Sequence, residues 1–302
     1  MTKLPLGVDI HNLIDDLKIV CWEAADILLY YSNSLKKSNN ISSVLENNNL
    51  EDPVTKADLK VNELIIKTIN EKYKNIEWDI LSEENAKKLE NKSYSRSKWV
   101  WILDPLDGTK DFIQGTENYA MHLALNYDGK PYLGVVLIPF REELWISNGL
   151  TVWCEKRNGT KLNPNLSNEL SLKKMKLVSS KNHSNQNLQD LIEKIEFKNM
   201  IIMGSIGCKV ASIIRGDCDI YISLSLPGKR APKDWDFAAP EAILRAAGGA
   251  ITTIENKDLS YNEENFEHGG IIIASNNKEN HRNLCLKIKD IIKEYDLYPL
   301  NS

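Results

Sequence analysis

Residues 98–111, KWVWILDPLDGTKD, constrain the fold more than any other stretch. WVWIL is apolar enough to be a buried strand, and it is expected to stop at Pro105, which cannot donate to a ladder. The strand then delivers Asp104 and Asp107 to its C-terminal end, where open sheets usually carry their sites. Two carboxylates converging at ~4 Å repel by roughly 4 kcal/mol at an effective dielectric of ~20. A shared proton offsets that repulsion, or a hard divalent cation, which takes oxygen ligands. The bend also frees the Leu106 carbonyl, another hard oxygen. Gly108 and Thr109 follow with bare N–H groups at what reads as a helix start, a place that attracts phosphate.

In isolation, D-P-x-D reads as a turn with capping aspartates. Two other stretches change that. LSEEN puts Glu83 and Glu84 at a second strand end, and KDWDFAAPEAILRAAGG puts Asp236 at a helix start. Asp236 by itself is an N-cap. Together, a Glu, an Asp-x-x-Asp and a later Asp supply the donors for two magnesium ions. In EDPVTKADLK, Thr55 and Asp58 form a capping-box-like pair; read for function, Asp58 reaches the Thr109 hydroxyl and turns it toward a water.

The 302 residues carry a net charge of −4 and are 42% hydrophobic. That balance argues against a general nucleic-acid binder, which needs a basic excess. The longest apolar runs are far short of a membrane span, and the N-terminus lacks a signal core. Five cysteines without a CxxC pair read as reduced thiols, so a cytoplasmic protein is expected. Helical spacing covers 10–31, with Asp9 as cap, and 57–73; residues 36–50 read as a loop. Strand-like segments follow at 119–127, 132–140 and 143–149, so the first half reads as helices on an antiparallel sheet. From about 171, strands alternate with helices at 184–196, 207–215, 235–247 and 278–294, an α/β pattern. The expected division is 1–170 with most metal ligands and 171–302 with Asp236 and substrate contacts, joined through 158–172.

DPVTKAD, LSEEN, WILDPLDGTKDF and DWDFAAPEAILRAAGG resemble, in order and spacing, the lithium-sensitive, magnesium-dependent phosphatases of the inositol monophosphatase superfamily. The resemblance covers roughly residues 10–275. It implies a layered αβαβα sandwich. It also implies that Glu83, Asp104 and the Leu106 carbonyl hold one Mg²⁺, that Asp104, Asp107 and Asp236 hold a second, and that a third binds near Glu83. Glu83, Asp58 and Thr109 are the implied catalytic residues, and Li⁺ the implied inhibitor. DPLDGTKDF and GSIGCKVASIIRGDCDIYIS resemble the 3'(2'),5'-bisphosphate nucleotidase branch more than the inositol enzymes.

On that branch the substrate is a small phosphorylated molecule, held by Asp107, Gly108, Thr109, Ser205, Lys209, His183, Lys233 and Asp236. Lys229 and Arg230 are further cations for a second phosphate, although 229–233 also reads as a solvated loop. A homodimer is plausible by the same resemblance. One departure stands out: bacterial nucleotidases read roughly GEFTVNIAL where this chain has ENYAMHLAL, with Asn118, Tyr119 and His122. Two competing readings are an inositol or sugar phosphatase and a non-catalytic metal–nucleotide binder.

Overall fold

A computed structural model describes residues 4–38, 44–46, 54–86, 97–181, 185–261 and 265–300. Two long helices begin it: α1 (Ile10–Ser38) and α2 (Lys56–Lys72). Asp9 caps α1, its Oδ1 accepting from the amides of His11 and Asn12 at 3.0 Å. The helix runs past Tyr31, where its apolar spacing fades, because buried Leu35 still anchors it and Lys36 and Lys37 suit its C-terminal dipole.

Seven strands form the first sheet in chain order: β1 (Asp79–Ser82), β2 (Trp99–Asp107), β3 (Ala120–Tyr127), β4 (Lys130–Ile138), β5 (Glu143–Ser147), β6 (Val152–Lys156) and β7 (Lys161–Leu162). Within this sheet, among the described residues, only β1 and β2 run parallel. The one-turn helices α3 (Glu83–Ala86) and α4 (Thr109–Ile113) follow β1 and β2. The sheet's side chains alternate between two cores, as a pleat requires. Trp101, Leu103, Leu123, Leu125 and Val135 face α1 and α2, while Ile102, Ala124 and Val136 face the opposite way.

The second half contributes β8 (Lys176–Ser180), α5 (Gln186–Ile195), β9 (Asn199–Met203), α6 (Ile206–Ile214), β10 (Ile220–Ser225), α7 (Asp234–Ala247), β11 (Ala250–Thr253), β12 (Gly270–Ser275) and α8 (Lys278–Glu294). Its sheet has the order β11-β12-β10-β8-β9. The β10-β8-β9 part is parallel, while β11 and β12 are antiparallel. Leu188, Leu191, Leu284 and Ile288 of α5 and α8 cover one face. Phe237, Ile243, Val210 and Ile213 of α6 and α7 fill the space between the two sheets. The resulting order is helices, sheet, helices, sheet, helices: the αβαβα layering.

This middle layer positions the site. Its core draws on residues from both sides of position 170, from Leu81 to Ala274. Gly134 on β4 lets α7 approach closely, since a Cβ there would lie 2.5 Å from the Ala242 Cβ and 2.9 Å from the Ala239 carbonyl oxygen. Among the described residues, no helix is long and apolar enough to cross a membrane. All five cysteines are free and buried.

Candidate active site

β2 does not stop at Pro105 as expected. It continues to Asp107 through a bulge: Asp104 pairs with His122 and Asp107 with Ala120, so four residues of β2 oppose three of β3. The missing N–H of proline is harmless at such an interruption. The bulge also solves a problem of parity. Residues three apart on a regular strand point to opposite faces, and one extra residue brings Asp104 and Asp107 to the same face. That face carries α7, which begins at Asp234 and delivers Asp236 from its first turn.

Carboxylate oxygens of Asp104, Asp107 and Asp236 all lie within 4.8 Å of one another. At that spacing each pair repels by about 3 kcal/mol at an effective dielectric of ~20. Burial pushes the Asp104 carboxyl well above the usual carboxylate range, with Glu83, Asp107 and Asp236 adding to the push. Asp236 is raised to about 6 by burial and by Asp107, against the Lys233 amide that donates to its Oδ2 at 2.6 Å. Its capping contact therefore coexists with a place in the cluster.

Asp107 is held differently. Its Oδ2 accepts from the Ser205 hydroxyl (2.6 Å) and from the amides of Ile206 (2.6 Å) and Gly207 (3.2 Å), the first groups of α6. Burial opposes ionisation there, yet the His122 ring and the Ser205 hydroxyl bring its carboxyl below the ordinary value. One Asp107 oxygen is thus tied to a helix start. Two buried acids and a partly buried third, all hard oxygen donors and two of them driven toward protonation, fit a magnesium-sized cation better than any arrangement of protons. Glu83 lines the same cavity and extends that donor set.

The cavity has a volume of about 420 Å³ and is also lined by Leu106, Gly108, Thr109, Lys209, Lys229, Arg230 and Lys233. Gly108 is required twice over: its φ is +89°, and a Cβ would sit 2.9 Å from the Asn118 carbonyl oxygen. Lys209 is buried, its Nζ donating to the Gly204 carbonyl at 2.7 Å and lying 4.9 Å from the Tyr221 ring centre. The Lys233 ammonium is held by Glu267 at 2.8 Å and by the Asn265 carbonyl at 3.1 Å. It already has a counter-charge, which weakens it as a phosphate ligand.

Two expected contacts are made otherwise. The Thr109 hydroxyl donates to the Leu106 carbonyl at 3.0 Å, not to Asp58. Asp58 closes the capping box of α2, its Oδ2 accepting from the Thr55 amide at 2.9 Å and from the Thr55 hydroxyl. Burial, opposed by Thr55 and reinforced by Glu84, raises its carboxyl to about 7. Ser205, expected on the substrate, is fully buried and spends its hydroxyl hydrogen on Asp107. Its role as N-cap of α6, accepting from the Cys208 amide at 3.1 Å, was open to sequence reading. His183 lies outside the described residues.

Comparison with known proteins agrees with this geometry. A model described as the inositol monophosphatase family matches residues 13–293. A 3'(2'),5'-bisphosphate nucleotidase CysQ from Buchnera aphidicola is 31% identical over 252 residues, covering 83% of this chain and 88% of the relative. A 3'(2'),5'-bisphosphate nucleotidase 1 from Mus musculus is 32% identical over 186 residues, 60% of this chain and 58% of that protein. In structure, an IMPase from Thermotoga maritima superposes with a TM-score of 0.71 at 22% identity, over 94% of this chain and 99% of the other, a likeness of fold.

Proposed function

The chain belongs to the inositol monophosphatase family, and on that premise we propose that it removes the 3'-phosphate of adenosine 3',5'-bisphosphate. It is a phosphomonoesterase of that family, in which magnesium dependence is the norm. The observation carrying this reading is the meeting of Asp104, Asp107 and Asp236 from two remote segments. The choice of a bisphosphonucleotide rests on relatives named nucleotidases at 31% and 32% identity.

We assign Glu83, Asp104, Asp107, Asp236 and the Leu106 carbonyl to hold Mg²⁺, two or three ions per site. Magnesium bound there supplies Lewis-acid activation of water and neutralises charge on the departing oxygen. The chain's own groups do the rest. Gly108 and Thr109 offer amides to the phosphoryl oxygens. Thr109 and Asp58 would orient the water, the Thr109 hydroxyl exchanging its bond to the Leu106 carbonyl for one toward Asp58. The water gives up a proton to the Thr109–Asp58 pair as its oxygen bonds to phosphorus, the ester P–O bond breaks, and the leaving oxygen takes up a proton from solvent. Lys209, Lys229 and Arg230 are the cations proposed for the phosphate that does not react. Five buried, unpaired thiols support a reducing, cytoplasmic setting.

An assay at fixed Mg²⁺ tests the reading. Phosphate release from adenosine 3',5'-bisphosphate should exceed release from inositol 1-phosphate and fructose 1,6-bisphosphate by tenfold or more in kcat/KM, and should stop with EDTA. Faster turnover of inositol 1-phosphate would favour the second reading, an inositol monophosphatase, which the likeness of fold also accommodates.

A further inference from the structure

We propose that His122 is a positioning residue that sets the separation of the Asp107 and Asp236 carboxylates, and through it the fit of the metal centre. The inference rests on the metal-dependent reading above. His122 sits on β3 opposite Asp104 and is fully buried. Its Nδ1 lies 3.2 Å from the Trp235 carbonyl oxygen, in the residue immediately before Asp236. A carbonyl only accepts, so Nδ1 carries the hydrogen in that contact. Its Nε2 lies 3.2 Å from Asp107 Oδ2, without the alignment of a hydrogen bond. One rigid ring therefore spans the end of β2 and the start of α7, the two elements that supply the clustered aspartates.

The ring's seat is built for it. A Cβ on Gly207 would lie 2.2 Å from Nε2 and 2.9 Å from Cδ2, so α6 presents bare backbone where the imidazole packs. Asp107 and Asp236 each have a separate anchor, the α6 amides for one and the Lys233 amide for the other. Those anchors fix each carboxylate to its own neighbourhood. His122 relates the two neighbourhoods to each other. A side chain that only filled volume would have no reason to place both polar atoms against the two ligand-bearing segments.

Three variants separate positioning from packing. His122→Asn keeps a donor near the Trp235 carbonyl and gives up the Asp107 side. His122→Gln reaches toward Asp107 and gives up the carbonyl. His122→Leu keeps much of the volume and loses both contacts. Mn²⁺ affinity is read by the EPR signal of the free ion, alongside the melting temperature of the metal-free protein and kcat and KM with Mg²⁺. The Leu variant should bind Mn²⁺ about 10- to 100-fold more weakly, the scale for partners that orient metal ligands. Its kcat should fall with KM nearly unchanged, and Asn and Gln should each recover part of the loss. Unchanged Mn²⁺ binding in all three, or losses that only track melting temperature, would overturn the proposal while leaving the metal site intact. Absence of Mn²⁺ binding in the wild type would overturn both. If the Leu variant does not fold, the Asn and Gln variants decide.

Discussion

Two buried polar clusters in this molecule follow opposite logic. At the end of β2, three aspartates crowd within 4.8 Å, and burial and mutual repulsion raise two of them. Between α8 and the small sheet, His281 has Nδ1 at 2.7 Å from the Ser275 hydroxyl and Nε2 at 2.8 Å from that of Thr252. There burial drives the imidazole down to about 4, so it stays neutral. The second cluster is closed, with both ring nitrogens paired. The first holds unrelieved charge that only a cation or protons can offset. A structural polar cluster completes itself; a functional one leaves its completion to a ligand.

The largest effect that tests this contrast is on turnover. Asp104→Asn and Asp236→Asn should each lower kcat by about 10²- to 10³-fold, the scale of losing one group that stabilises transition-state charge. In EDTA the same variants should melt higher than the wild type, because a repelling charge has gone. His281→Ala should do the reverse: melt lower, with kcat retained at temperatures where it is folded. If Asp104→Asn melted lower without metal, the acids would not be in conflict and the contrast would fail.

The clusters should also respond to acid with opposite signs in the metal-free protein. Asp236 is raised from 3.8 to about 6, so its protonation contributes stability that is full below about 4 and is lost as pH rises through about 6. His281 is lowered from 6.5 to about 4, so its contribution is full above about 6.5 and is lost as pH falls through about 4. Each shift corresponds to about 3 kcal/mol. Between pH 6 and 4 the two oppose each other. Denaturant melts across that window should show Asp236→Asn losing stability more steeply than the wild type, and His281→Asn gaining it. Parallel slopes for the two variants would refute the assignment.

What was legible beforehand divides along similar lines. Element positions followed from apolar period; α8 was read at 278–294, as found. The acids were legible because like charges at strand ends demand a reason. The short strand β6 was missed, since its alternation in VWCEK is too brief to register. The bulge at Pro105 was misread as a stop, because proline marks either and only the pairing of Asp107 with Ala120 decides. Ser205 reads as a substrate contact and His122 as a departure from the nucleotidase pattern with no role assigned, while the structure turns both toward Asp107. Their roles depend on α6 and α7 crossing under β3, a tertiary fact with no local signature. The five-layer arrangement came from the family resemblance and not from periodicity.

The smallest effect concerns a buried cation that lines the same cavity as the acids. Lys209 is 1% exposed, with Nζ on the Gly204 carbonyl and over the Tyr221 ring. If it steadies the unreactive phosphate, Lys209→Met should lower kcat/KM for adenosine 3',5'-bisphosphate about tenfold more than for a 3'-monophosphate, about 1.4 kcal/mol of selective binding. Methionine keeps most of the buried volume, so the ratio between substrates, and not the absolute rate, isolates the charge. A lysine present only to fill the space beneath Tyr221 would give equal losses on both substrates. Lys209 would then belong with His281 as structural, and the cations that recognise the second phosphate would be sought at Lys229 and Arg230, which line the same cavity.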